Sequence, residues 1–251
     1  MIGYEAWGSG EQRVVILNDW LCDTSTWDDA RAYLDIEQFT WAFADLRGYG
    51  RSKQLTGHFT LEEAAADVLA LVDALGWQQF SIIGHSMSSL IALHLGQQHS
   101  DRIERAVVIT PPPPRSFGAD EASLEAMRAM ASGDEETRMA GLQANWGDYL
   151  SPGWLRFKIR RWRECASPEA ATAYVDMFGR DGMPDPVTPI EHPVLAITGE
   201  KDAPPMRSVA VRELLGTLCP QLQVIPIVEA GHYPMQEAPP LTVAILERFL
   251  V

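Results

Sequence analysis

At 251 residues, 46% of them hydrophobic, the chain can bury a large core as one domain, and composition excludes general disorder. A formal charge of −14 excludes nucleic acid and anionic membrane surfaces as general partners. No apolar run reaches the length of a membrane span, and Met1-Ile2-Gly3-Tyr4-Glu5 shows neither the basic nor the apolar region of a secretory leader. Cys22, Cys165 and Cys219 are widely scattered, with neither disulfide-framework nor metal-ligand spacing, so a reducing, cytoplasmic setting is expected.

The first half of the chain alternates strands with helices, which predicts a mostly parallel, doubly wound α/β sheet. Val14 to Leu17 is a β-branched run suited to a central strand, Asp28 to Leu34 a short helix, and Phe39 to Ala44 the next strand. The glycine-punctuated stretch Asp45-Leu46-Arg47-Gly48-Tyr49-Gly50-Arg51-Ser52 must then be a tight loop. Thr60-Leu61-Glu62-Glu63 reads as a capping box at the head of a helix running to Leu75, with Gly76 just past its end. Phe80 to Ile83 is a short buried strand, a helical pattern opens at Ser88, and Ile103 to Ile109 is another strand.

From Pro111 to Ile190 strand signals vanish. Helices are expected over Glu121 to Met130 and Asp134 to Ala144, and from Ser151-Pro152 and Ser167-Pro168, each a serine N-cap followed by proline. This defines a helical lid, 111–190, inserted after a central strand into a core formed by 1–110 and 191–251. Pro111 to Pro114 would be its stiff polyproline entry. Strands resume at Pro193 to Thr198 and Leu222 to Val228, with helices near Ser208 to Leu215 and Leu241 to Leu250.

Three short motifs carry the chemistry. Gly84-His85-Ser86-Met87-Ser88 puts a serine on the turn between strand and helix, with small residues that let the two approach. Gly199-Glu200-Lys201-Asp202 and Gly231-His232 follow two later strands. A serine needs an adjacent base to become a nucleophile, and the base needs an acid to fix its tautomer. Ser86, His232 and Asp202 supply these roles in the chain order of a nucleophile-elbow enzyme. All three fall at the carboxyl ends of strands, where open α/β sheets bind ligands. The oxyanion donors expected are the main-chain amides of Met87 and Trp20, the latter in the loop Asn18-Asp19-Trp20-Leu21. The other histidines, His58, His85, His94, His99 and His192, are read as structural or solvent-facing.

Together these residues resemble the α/β-hydrolase superfamily over nearly the whole chain; the Asp45-x-Arg47-Gly48-x-Gly50-x-Ser52 loop is similar to its recurrent post-strand signature. The resemblance implies a serine hydrolase of the esterase or lactonase type acting on a small-molecule ester or lactone, with no metal or organic cofactor. C–C hydrolases and haloperoxidase-like enzymes also occur in that superfamily. Its dehalogenases and epoxide hydrolases use an aspartate nucleophile, against which Ser86 argues. Two departures open alternatives. Ser88 replaces the usual last glycine of the elbow, as in ligand sensors of this fold that hydrolyse slowly or once. Asn18-Asp19 replaces the usual His-Gly, and Asn18-x-Trp20 is similar to cofactor-free dioxygenases, which usually lack the acid that Asp202 supplies here.

The lid is the expected specificity element. Trp146, Trp154 and Trp162 either pack it onto the core or line an apolar acyl or ring pocket. On a helix, Leu155, Ile159 and Trp162 share one face and Arg156, Arg160 and Arg163 another. Those arginines form either a solvated face or, through Arg160 or Arg163, a clamp for a carboxylate-bearing substrate. No signature of a particular oligomeric state is present.

Overall fold

The computed structural model describes residues 1–115, 119–146, 149–184 and 188–251, the side chains of residues 145 and 146 excepted. Seven strands, β1 (Tyr4–Gly8), β2 (Gln12–Leu17), β3 (Phe39–Ala44), β4 (Phe80–His85), β5 (Ile103–Ile109), β6 (Val194–Gly199) and β7 (Leu222–Ile227), form one sheet in the order β1-β3-β2-β4-β5-β6-β7. All neighbours pair in parallel except β1, an antiparallel edge strand on β3 that the hydrophobic pattern does not announce. Residues of β4 are buried throughout, as a central parallel strand covered on both faces requires.

Helices α1 (Asp28–Arg31), α2 (Leu61–Ala74), α3 (Ser88–Gln98), α8 (Ser208–Leu215), α9 (Pro234–Glu237) and α10 (Pro239–Leu250) belong to the alternating part of the chain. The helix expected over Asp28 to Leu34 is shortened to the single turn of α1, and a 3-10 turn, Thr24–Trp27, precedes it. Thr60 caps α2 by accepting the Glu63 amide at 3.2 Å. The Glu63 carboxylate, however, reaches past Thr60 to the amides of His58 and Phe59, at 2.8 and 2.7 Å.

Between β5 and β6 lie α4 (Glu121–Ser132), α5 (Glu135–Trp146), α6 (Pro152–Cys165) and α7 (Pro168–Val175), the last continued by a π-type turn, Asp176–Asp181. Ser151 and Ser167 cap α6 and α7 by accepting the amides of Trp154 and Ala170 at 3.2 and 3.1 Å, each followed by proline at the first helical position. On α6, Leu155, Ile159 and Trp162 are buried while Arg156, Arg160 and Arg163 are exposed, so the amphipathic face turns inward as its periodicity dictates. Lys158 departs from that pattern: it is 1% exposed.

The signature loop after β3 is structural. Asp45, fully buried, accepts the Thr24 amide and hydroxyl, both at 2.8 Å, and the Arg51 amide at 2.9 Å. Arg47 forks onto Asp67 of α2 at 3.0 and 2.8 Å. Asn18 ties the loop after β2 to this one: its amide donates to the carbonyls of Asp19 and Cys22, at 2.8 and 3.0 Å, and its oxygen accepts the Leu46 amide at 2.7 Å.

Candidate active site

The turn from β4 to α3 places Ser86 at φ +54°, a left-handed conformation that a non-glycine residue holds only where its surroundings enforce it. They do so through small residues. A Cβ on Gly84 would lie 2.3 Å from the Ser88 carbonyl oxygen, so strand and helix touch here. Ser88, in place of the customary glycine, folds back: its hydroxyl accepts the His85 amide at 2.9 Å and donates to the His85 carbonyl at 3.0 Å.

The His232 loop meets the Asp202 loop at an equally tight point, where a Cβ on Gly199 would lie 1.9 Å from the Gly231 carbonyl oxygen. His232 Nδ1 lies 2.7 Å from Asp202 Oδ2, and its Nε2 lies 3.0 Å from Ser86 Oγ. The second Asp202 oxygen accepts the Ala203 amide at 2.7 Å. Asp202 and His232 are 1% and 6% exposed, and Ser86 is half-buried. Burial opposes protonation of His232, but the Asp202 carboxylate, by its charge and its hydrogen bond, outweighs it and raises the imidazole above the ordinary histidine value.

A second imidazole supports the first. His85, read from sequence as structural or solvent-facing, is buried, and its Nε2 donates to the His232 carbonyl at 2.7 Å, which Thr110 also meets at 3.2 Å. The other His85 nitrogen faces Asp19 Oδ2 at 3.4 Å. Burial holds His85 below the ordinary value. Asp19 accepts the Leu21 amide at 2.6 Å and the Thr26 hydroxyl at 3.0 Å. Burial raises the Asp19 carboxyl, yet the nearby charge of Lys158 and the His85 contact hold it well below the carboxylate range. Lys158 Nζ sits 3.7 Å above the Tyr233 ring with no hydrogen-bond partner among the described residues.

Met87 follows Ser86 at the head of α3, and Trp20, in the loop after β2, lines the cavity beside Ser86. Trp20 is held at three points: its carbonyl accepts the Tyr49 hydroxyl at 2.9 Å, its indole donates to the Ala171 carbonyl of α7 at 2.6 Å, and its ring packs on Trp162 at 5.0 Å between centroids.

Ser86, His232 and Asp202 open into a cavity of about 380 Å³ whose walls include Asp19, Trp20, Met127, Met130, Phe178 and Met206. Of the residues singled out from sequence for the pocket, Trp154, Trp162, Arg160 and Arg163 are not among its walls. Trp162 is buried under Trp20, Trp154 packs edge-on against Tyr233 at 5.2 Å, and the Trp146 side chain lies outside the described residues. Arg160 stacks on Phe157 at the surface, and Arg163 is 61% exposed and faces Glu135 at 3.6 Å. The carboxylate clamp has no geometry to support it, because the basic face of α6 points away from the cavity. Three methionines line the walls instead: Met127 and Met130 of α4 and Met206 beside Asp202, flexible side chains suited to an irregular apolar pocket. No helix among the described residues is long and apolar enough to cross a membrane.

A family model described as alpha/beta hydrolase fold matches residues 27–137. A bifunctional esterase/perhydrolase of Acinetobacter calcoaceticus is 30% identical over 115 residues, 45% of this chain and 42% of that protein. A 2-heptyl-3-hydroxy-4(1H)-quinolone dioxygenase of Mycobacteroides abscessus is 34% identical over 109 residues, 42% of this chain and 40% of its own. The chain thus spans only about two fifths of the length of the curated relatives it matches. Over its whole length it is similar in fold to the enol-lactonase of Burkholderia xenovorans LB400, with a TM-score of 0.83, 22% identity, and coverage of 99% of this chain and 96% of that one. The chain has the α/β-hydrolase fold, and its residues 27–137 resemble the family of that name.

Proposed function

We propose that this chain hydrolyses small, uncharged carboxylic esters or lactones through an acyl-enzyme on Ser86. One observation carries the reading: the unbroken line Ser86 Oγ–His232 Nε2 at 3.0 Å and His232 Nδ1–Asp202 Oδ2 at 2.7 Å, with the serine on a strained elbow facing an apolar cavity. Such a line makes a serine nucleophilic without a cofactor.

His232 takes the Ser86 proton as Oγ bonds to the substrate carbonyl carbon. The amides of Met87 and Trp20 receive the developing oxyanion, and Asp202 stabilises the imidazolium. His232 then protonates the leaving alkoxide, and the acyl group remains on Oγ. Water, deprotonated by His232, releases the acid and restores the serine. The segment 111–190 acts as the lid that shapes the cavity. The Asp19 carboxylate in the wall repels a substrate carboxylate, while the apolar remainder suits an uncharged acyl or ring group.

The test is fluorophosphonate labelling of wild type and Ser86→Ala, paired with a short-chain nitrophenyl ester assay. Labelling that requires Ser86, with sustained turnover, is the expected result. Labelling without multiple turnovers would replace hydrolysis by ligand sensing. Undiminished turnover in Ser86→Ala would replace acyl transfer by direct base catalysis from His232.

A further inference from the structure

Cys22 and Cys165, distant in sequence and without a motif between them, meet in space. Cys22 closes the loop that carries Trp20, and Cys165 ends α6. Their sulfurs and an Asp23 carboxylate oxygen all lie within 4.8 Å of one another. Both side chains are buried, at 2% and 4% exposure, but Cys165 borders a polar surface depression with Asp23, Arg51, Arg161 and Glu164, which gives a small solute a route to the pair.

The two thiols are chemically unequal. A hydrogen bond with Cys165 lowers the Cys22 thiol, burial opposes this, and the Lys158 charge adds to the lowering, which brings Cys22 down to about 7. The same bond, followed by burial, pushes Cys165 up. One sulfur is therefore available as thiolate near neutral pH beside a neighbour that remains thiol. The surroundings disfavour a divalent cation. Asp23 is already engaged by the Ser25 amide at 3.1 Å and by Arg161 at 3.2 and 3.3 Å, and Lys158 adds positive charge.

We propose that Cys22 and Cys165 form a site of reversible oxidative modification, a disulfide that staples α6 to the Trp20 loop when a small peroxide reaches it. The Cys22 thiolate attacks one oxygen of hydrogen peroxide. The O–O bond breaks, the departing hydroxide leaves as water with the thiol proton, and Cys22 becomes a sulfenic acid. The Cys165 sulfur then attacks the Cys22 sulfur, the S–O bond breaks, and a second water leaves with the Cys165 proton. Two thiols and one peroxide give one disulfide and two waters, and a dithiol reductant reverses the change. Because the bonded sulfurs must close to about 2 Å, Cys22 is drawn towards α6 and the Trp20 amide shifts with it. The effect on turnover rests on the hydrolase reading above; bond formation does not.

The full-length protein is titrated with hydrogen peroxide and read by intact mass, peptide mapping and nitrophenyl ester turnover, with Cys165→Ser and Cys22→Ser in parallel. Expected are a loss of about 2 Da restored by dithiothreitol, a linked Cys22–Cys165 peptide absent from both variants, and at least about a fivefold reversible fall in wild-type turnover that Cys165→Ser escapes. Cys219, buried with its thiol pushed up to about 12, is the internal control and stays reduced. Stepwise oxygen addition without a cross-link, or thiols that stay reduced throughout, would overturn the site. Co-purified zinc that shields both thiols until chelation would overturn it in favour of a metal. A cross-link with unchanged turnover would overturn its influence on the Trp20 loop.

Discussion

Glu237 grips the main chain on both sides of His232: one carboxylate oxygen accepts the Gly231 amide at 2.7 Å and the other the Tyr233 amide at 2.8 Å. The imidazole is thus aimed by a carboxylate that touches neither Ser86 nor the cavity. With His85 on the His232 carbonyl, the loop is fixed at three consecutive residues. Glu237→Ala removes two bonds to a charged acceptor, each worth about 1.5–3 kcal/mol. It should lower kcat by roughly 10–100-fold with KM nearly unchanged, and lower Tm; steady-state kinetics and a melting curve check both.

The pH dependence should carry two opposite signatures. Hydrolysis needs neutral His232, whose pKa is raised, so kcat/KM should rise with pH through an acid limb centred above the ordinary histidine value. Asp202 favours the imidazolium, so Asp202→Asn should move that limb to lower pH while kcat falls by about 10⁴-fold. Lys158 disfavours the imidazolium, so Lys158→Met should move the limb to higher pH. Profiles of kcat/KM from pH 5 to about 9 separate the two.

The φ of +54° at Ser86 costs stability that a glycine would not spend. Ser86→Gly and Ser86→Ala should both abolish ester turnover, since each removes the hydroxyl. Ser86→Gly should nevertheless be the more stable of the two by about 1 kcal/mol, because alanine keeps the strained backbone. Denaturant midpoints at equal m-value test this, and the opposite order would remove the strain argument.

Charge selectivity should come from the cavity wall and not from the lid surface. Arg160→Ala and Arg163→Ala, both on the exposed face of α6, should change KM for neutral and carboxylate-bearing esters by less than about twofold. Asp19→Asn keeps an oxygen for the Leu21 amide but removes the charge. It should lower KM for carboxylate-bearing esters by about threefold or more relative to neutral ones.

The candidate residues Ser86, Asp202 and His232 are legible because each follows a strand and a small residue, Gly84, Gly199 or Gly231, so that local chain signals coincide. Helix starts at Ser151 and Ser167 were equally local. Strand β1 was not, because its burial falls away towards Gly8 and only its partner β3 makes it a strand. The pocket residues were not legible either. Which faces of α4 and of the Asp176–Asp181 turn line the cavity with Ser86 depends on how the segment between β5 and β6 folds, a long-range relation with no signature in any one segment. Lys158 stands beside Ile159 in the sequence, so its charge reads as solvated, whereas its long stem reaches inward to Tyr233. Scattered cysteines conceal adjacency for the same reason: Cys22 and Cys165, far apart in the chain, meet in space.

Trp20 answers to two masters. It lines the same cavity as Ser86, while its indole is bonded to Ala171 and wedged against Trp162 and Phe178, all carried by the 111–190 segment. In the proposed mechanism this makes the lid a condition of reactivity as well as a wall. Lifting it withdraws the supports of an oxyanion donor at the moment solvent gains entry, so the open molecule admits substrate without acting on it. Chemistry is then confined to the closed form, with access and catalytic power exchanged in a single motion.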